Sequence, residues 1–595
     1  MRIAHRILSL AGALLVAAYF LGLVWPGLTV YFSPDDTMNL YKPWTSSTRT
    51  LVLANLVFFR SWPIYRPLAS AWYAAMFHIA GFHPLPFHAV YTAIFLTNIF
   101  LTYAVARRLS GSRDTGAATA LLGSYHHSLT PLFLDTAYIF DALCYSFYFA
   151  ALLLYLRARS RTRQLTGPET AGLCLLYVFA LNSKEIAVTL PAMLLVYELV
   201  YRTPKSWRQL PMLLRAPAIA STGLITLIFI IGRSLGSESL VKMAAYRPVF
   251  TVARFLETSR NFFGETFFRV ENLNLVTIWV ILLLIAWVSG SSVLRFAWLF
   301  LMLAPLPVAF IPPRGPSQYY IPWFGCMLFA SATLVNWIEA LTARVHLDWL
   351  RGAVLLPALA LILYPYYKSQ GWDNATTVSL EAPVIRDTVA QLHALYPQLA
   401  PGSRLLFHED PFKPDRSDLT FLVRESYGDD SLQVFRSHQK DSPADESQPY
   451  DYVFDYRGGR FFEGEQNIPA PPVPLIVTAD GLAEIFHQGW TRVTPKAPAR
   501  PGEVVIAKAI SLGSTVPAIP ADKPFPRSPL LPVRSPVEVR VAGRPAEVRL
   551  KIGWPEMVDT YRVDFRVPAL TARGAVPVEI SASGVTGPPV SMPME

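Results

Sequence analysis

Three cysteines in 595 residues are too few to staple a fold, and Cys144, Cys174 and Cys326 each lie in an apolar run. That leaves no disulfide framework and no Cys–His spacing for a structural zinc. Charge is scarce too. Asp, Glu, Lys and Arg make up 16% of the chain against 52% hydrophobic residues, where an average soluble domain carries about a quarter charged residues. Walker loop, G-x-G-x-x-G, Ser-His-Asp signature and helical-repeat period are all missing, so nucleotide-binding folds, the common hydrolases and repeat arrays have no footing here. The net charge of +10 sits mostly in short Arg and Lys clusters between apolar runs. It reads as a topology signal, and nucleic acid is not an expected partner.

What is present in quantity is apolar sequence long enough to meet a bilayer, with aromatics at 13% and a mean hydropathy of +0.33. The first run, Ile7 to Trp25, follows two arginines, Arg2 and Arg6. It reads as an uncleaved first helix with its N-terminus in the cytoplasm. Further runs are His88–Ala106, Ala117–Leu132, Tyr138–Leu156, Ala171–Leu181, Ile186–Val200, Ala218–Ile231, Leu273–Val288, Phe296–Ile311, Tyr319–Leu341 and Val354–Tyr367. Arginine clusters fall at every second junction, so the runs predict about eleven spans with the remaining chain outside. The two short runs around Asn182-Ser-Lys-Glu185 are the critical pair, because a single bent span there reverses everything after it. Leu40 to Arg60 is too polar to span and has the period of an interfacial helix.

Composition changes at Lys368. Residues 1–368 form the membrane domain and 369–516 a mixed α/β region outside it. Within that region Ala382–Tyr396 has helical spacing, and Ser403–Phe407, Asp451–Asp455 and Val504–Ala507 read as strands. A Pro-rich linker, 517–532, leads to a small β-sandwich-like domain, 533–595. Its runs Val537–Val541, Glu547–Ile552, Tyr561–Val567 and Val576–Ile580 alternate apolar and polar residues. The predicted fold class is therefore a polytopic α-helical membrane protein with an extracytoplasmic α/β region and a C-terminal β domain.

Ser33-Pro-Asp35-Asp36 emerges directly after the first run. Two adjacent carboxylates there suit a general base, or a divalent metal site in which one ligates and the other tunes. A solvated Asp-rich turn is the alternative. Charged residues near spans are costly and so are candidates by default. Arg66 before Pro67 could hold a phosphate, or snorkel at the surface. Lys184-Glu185 at an outer turn could do the same, or form a local ion pair that caps a helix. His126-His127, Asp135 and Asp141 lie at outer turns, and Arg314 with Tyr319 and Tyr320 suits an anionic headgroup.

Taken in order, Asp35-Asp36, Tyr65-Arg-Pro-Leu68, Phe87-His-Ala-Val90, Arg107-Arg-Leu-Ser-Gly111, His126, Asp141, Asn182-Ser-Lys-Glu-Ile-Ala-Val-Thr-Leu-Pro191 and Gln318-Tyr-Tyr-Ile-Pro322 resemble the GT-C integral membrane glycosyltransferases. The branch most similar is the transmembrane O-mannosyltransferases with TPR tails and their bacterial relatives. The likeness covers roughly residues 1 to 340. It departs at His126-His127-Ser-Leu129, where the family has His-Pro-x-His, and in lacking the TPR tail. Residues 533–595 resemble a β domain of secreted Acidobacteria proteins. The resemblance implies an inverting transfer of a hexose, mannose or a relative, from a polyprenyl-phosphate sugar to a protein, glycan or lipid acceptor at the periplasmic face of a bacterial inner membrane. It implies Asp36 as base, Asp35 as its orienter or a metal ligand, and Arg66, Lys184, Glu185, Arg314, Tyr319 and Tyr320 around the donor phosphate. His126 and Asp141 are further candidates. A transporter or flippase of lipid-linked sugars is the alternative, and it would show interrupted helices in matching halves.

Overall fold

The computed structural model describes residues 2–60, 66–202, 214–235, 247–266, 274–313, 315–342, 348–441, 443–445, 448–464, 473–520, 522–569 and 573–595. It divides into two units, Met1–Arg386 and Asp387–Glu595.

The first unit is helical. Its opening helices are α1 (Arg2–Val24), α2 (Pro34–Trp44), α3 (Thr48–Leu56), α4 (Pro67–Ala80), α5 (Pro84–Ser110), α6 (Arg113–Ser124), α7 (Thr130–Leu134), α8 (Ile139–Arg159), α9 (Gly167–Ser183) and α10 (Leu190–Tyr201). Proline opens α2, α4 and α5, at the helical position where its missing N–H is no loss. Helices Pro217–Leu235, Val252–Thr266, Leu275–Val288, Ser292–Leu303, Tyr320–Thr342 and Asp348–Leu395 follow.

Among the described residues, four stretches are long and apolar enough to cross a membrane: Ser9–Thr29, Pro84–Ser110, Thr136–Arg159 and Ser317–Thr342. Eleven full-length spans are not what the described residues present. Pro217–Arg233, Leu275–Val288 and Ser292–Leu303 are apolar but shorter. The run Ala117–Leu132 breaks after Ser124 into an extended Tyr125 and a 3-10 turn. Twelve residues reach about 18 Å against a hydrocarbon thickness of about 30 Å. The stretch containing α8 is the centre of the unit, since 72% of it is enclosed by protein against 28% for the first helix.

Contacts along α8 settle the path of α9 and α10. Lys184 is extended and ends α9 beside Asp141 at the start of α8. Thr189 then meets the Tyr148 hydroxyl at 3.2 Å, and Glu198 meets Arg159 at the far end at 2.6 Å. So α10 runs back along α8, and the two short runs are separate limbs rather than one bent span. That far end is basic: Arg108 bonds Ser160 at 3.0 Å and Arg202 bonds the Arg159 carbonyl at 2.6 Å. The Leu40–Arg60 stretch forms two short helices, α2 and α3, instead of one.

In the second unit, β1 (Arg404–Phe407), β2 (Gln433–Arg436), β3 (Tyr452–Arg457) and β4 (Arg460–Glu463) form a sheet in the order β2-β1-β3-β4. β1 runs parallel to β2 and β3, and helix Asp418–Tyr427 makes the crossover. After a two-residue ribbon of β6 (Thr478–Ala479) with β7 (Leu482–Ala483), the remaining strands form one nine-stranded sheet. They are β5 (Leu475–Ile476), β8 (Ile485–His487), β9 (Val504–Ile510), β10 (Val537–Val541), β11 (Arg544–Gly553), β12 (Thr560–Arg566), β13 (Gly574–Ala582), β14 (Val585–Thr586) and β15 (Val590–Met594). All the expected strands form, but residues 533–595 do not stand alone. β9 pairs with β12 from Val504↔Arg566 to Ile510↔Thr560, so the Pro-rich stretch is a connection within one sheet. The cause is β9 itself. Val505, Ala507 and Ala509 are fully buried, and an apolar strand needs neighbours on both edges.

Candidate active site

Asp36 occupies the third position of α2, and the local sequence dictates its geometry. Ser33 caps the helix by accepting from the Asp36 amide at 3.2 Å, while Asp36 Oδ2 accepts from the Ser33 amide at 3.0 Å. This is a capping box with Asp in place of the usual Glu. Oδ1 accepts from the hydroxyls of Tyr73, at 2.9 Å, and Thr136, at 2.6 Å. Asp36 is 2% exposed. Its two oxygens already hold together the starts of α2 and α8 and the side of α4. Asp35, one residue earlier, is exposed.

A third carboxylate joins this group. Ser33 Oγ lies 3.1 Å from Asp36 Oδ2 and 3.1 Å from Asp135 Oδ1, with one proton to give. Partial burial, and then the facing Asp36 carboxylate, push the Asp135 carboxyl well above the usual range. Asp135 also caps the turn into α8 by accepting from the Ala137 amide at 2.9 Å.

Lys184 and Glu185 do not pair with each other. Lys184 reaches Asp141 in the first turn of α8, and Glu185 reaches Arg66 at 3.0 Å. Arg66 sits with φ 50° immediately before Pro67, and its guanidinium lies 5.0 Å over the Phe140 ring. Phe140 also packs against Tyr73 at 6.5 Å, so the two ion pairs and the Asp36 cluster share one end of the unit, opposite the arginine-rich end. Each pair joins two helix termini: α8 to α9, and α4 to the turn before α10.

The remaining candidates are held by other contacts. His126 is buried, accepts from the Ser128 amide at 3.2 Å and packs on Trp323 at 4.4 Å. Tyr319 bonds Asn261 at 3.2 Å, and Tyr320 stacks on Tyr145 at 4.3 Å inside the aromatic core. Both tyrosines are packed in the aromatic core. The driving force is burial: both rings are under 5% exposed. Arg314 and Tyr65 lie outside the described residues. The Asp pair does not fit a divalent metal either. Asp36 has its lone pairs occupied, and among the described residues no group of three or more His, Cys, Asp or Glu side chains is gathered to hold one.

Sequence reasoning missed Ser33, Tyr73 and Thr136, the residues that hold Asp36. Ser-x-x-Asp at 33–36 is a readable capping-box signal; nothing in the sequence points to the other two. No protein-family model matches the sequence, and a search of characterised proteins gives no match.

Proposed function

We propose that this chain is a membrane glycosyltransferase that moves a sugar from a polyprenyl phosphate to an acceptor hydroxyl. The observation that carries the reading is the pairing of an exposed Asp35 with a buried, fully bonded Asp36. It occurs at the same end of the helical unit as Arg66 and Lys184. In this reading the eleven apolar runs sit in the membrane with the N-terminus in the cytoplasm, and the second unit lies in the periplasm.

The chemistry divides between the two aspartates by accessibility. Asp35, open to solvent, is the better base, and Asp36 is the positioning residue that fixes the first turn of α2. This reverses the roles that the resemblance implies. Asp35 takes the acceptor's proton, the oxygen attacks the anomeric carbon from the face opposite the phosphate, and the bond to phosphate breaks with its electron pair leaving on the lipid phosphate. The configuration inverts. Arg66 is held in place by Glu185, and its guanidinium charge would offset the charge that develops on the leaving phosphate.

The test is transfer by the purified full chain in detergent, with defined polyprenyl-phosphate hexoses and a mixed acceptor pool. Donor-dependent transfer that Asp35→Asn abolishes supports the reading. Movement of the lipid-linked sugar across proteoliposomes without any transfer would instead make the chain a flippase.

A further inference from the structure

Trp490 occupies an unusual place. The hairpin that leaves β8 is closed by Trp490 N to His487 O at 2.9 Å and His487 N to Thr491 O at 2.9 Å. The residue at its tip has φ 62°. That left-handed conformation suits glycine or asparagine and is disfavoured for a bulky side chain. The neighbouring Gly489 shows that glycine is at hand in this loop. Burial does not compensate, because Trp490 is 53% exposed. A strained, exposed tryptophan is an outlier that calls for a role.

Its surroundings define the chemistry. Trp554, the first residue after β11, stands 5.8 Å from it at 66°, and Phe486 lies 6.2 Å away. Arg562 on β12 sits 5.2 Å over the Trp490 ring and grips Asp564 through two bonds of 2.7 Å. Those bonds use Nε and Nη2 and leave the Nη1 hydrogens for a ligand. Among the described residues, neither indole N–H has a partner. The charged side chains nearby come in neutral pairs: Arg562 with Asp564, Arg527 with Glu556 and Arg492 with Asp480. Among the described residues these pairs leave no basic surplus to draw the surface to anionic lipid. Electron-rich ring faces beside balanced hydrogen-bonding groups match a neutral polyhydroxylated ligand, whose C–H faces stack on indole and whose hydroxyls meet the polar rim.

We infer that Trp490, Trp554 and Arg562 form a carbohydrate-binding platform on the nine-stranded sheet, taking a neutral glycan. The inference does not depend on the transfer chemistry of the helical unit. Binding is read without donor, so its failure and the failure of the transferase reading are separate results.

The experiment titrates the full chain in detergent with mannohexaose and cellohexaose and follows tryptophan fluorescence, with thermal melting as a check on folding. Saturable binding of at least one oligosaccharide is expected. Trp490→Ala should abolish it, Trp490→Phe should keep it, and Trp554→Ala should weaken it by about tenfold, the factor one aromatic contact carries. The melting midpoint should not fall in any of these variants. The proposal is overturned if the wild type binds neither sugar, or if Trp490→Ala binds as well as wild type. It is also overturned if brominated lipid in nanodiscs quenches the wild type but not Trp490→Ala. In that case the exposed Met557 and Val558 mark a lipid-facing loop.

Discussion

Thr136 donates a 2.6 Å hydrogen bond to Asp36, a carboxylate one hundred positions earlier in the chain. That contact joins the start of α2 to the entry of α8, the most enclosed of the four candidate spans among the described residues, and Tyr73 adds α4 to the same oxygen. Asp36 is therefore a structural hub. Replacing it with Asn turns one acceptor oxygen into a donor facing other donors, either Tyr73 and Thr136 or the Ser33 amide. Stability should drop by about 2–4 kcal/mol, read as a lower thermal midpoint in detergent. An unchanged midpoint would mean that the capping box is not formed in solution.

Asp35→Asn should behave in the opposite way. An exposed substitution typically changes stability by less than about 0.5 kcal/mol. Loss of a general base should cut turnover by about 10²–10⁴, with donor affinity retained. If both variants fold and only Asp36→Asn loses transfer, the division of roles proposed here is wrong.

The long apolar runs and the alternating strands were legible because periodicity and length act locally. His88–Ala106 lies within α5, Tyr138–Leu156 starts one residue before α8 and otherwise lies within it, and Val537–Val541 matches its strand end for end. The partners of Asp36, Lys184 and Arg66 were not legible, because each is chosen by packing of helix ends distant in sequence. Lys184 and Glu185 show the limit best. Adjacent opposite charges suggest a local pair, yet an extended Lys184 sends the two side chains to different helices. The continuity of β9 with β12 was hidden by the prolines between them, which read as a boundary. The sheet simply passes over them.

That continuity predicts the outcome of truncation. Removing residues 533–595 strips β12 from β9 and exposes its seven-residue edge. It also removes Arg534, which meets the buried Asp451 at 2.5 Å and ties the nine-stranded sheet to β3. An uncompensated buried carboxylate costs about 3–5 kcal/mol. Limited proteolysis should therefore digest the shortened second unit back to the helical unit. A protease-resistant fragment ending near Pro532 would show that the two parts fold separately.

His487 gives the second unit a pH dependence. Its Nδ1 lies 2.6 Å from Glu503, and that hydrogen bond raises the imidazole above its ordinary value of 6.5. A raised folded-state value means that the protonated pair stabilises fully below the unfolded value. The contribution is lost as pH rises through the folded one. Melting of the second unit should therefore fall as pH increases above 6.5, and His487→Gln should flatten that slope. A slope that survives the substitution assigns it to another group.

The last prediction separates structure from phosphate binding at Lys184. Its partner Asp141 is 6% exposed, so Lys184→Met leaves a buried carboxylate unpaired at a cost of about 3–5 kcal/mol. Asp141→Leu alone strands the lysine in the same way. The double variant removes both charges, and replacing a whole buried pair with apolar groups is often neutral for stability. The melting midpoint of Lys184→Met/Asp141→Leu should therefore recover most of what either single change loses. Donor affinity should not recover with it, because a lysine that compensates lipid phosphate is gone in both Lys184→Met and the double variant. Measured side by side, recovered stability with lost donor binding makes Lys184 a phosphate ligand as well as a helix tie. If stability and donor binding return together, Lys184 only holds α8 to α9, and the phosphate must be met by Arg66.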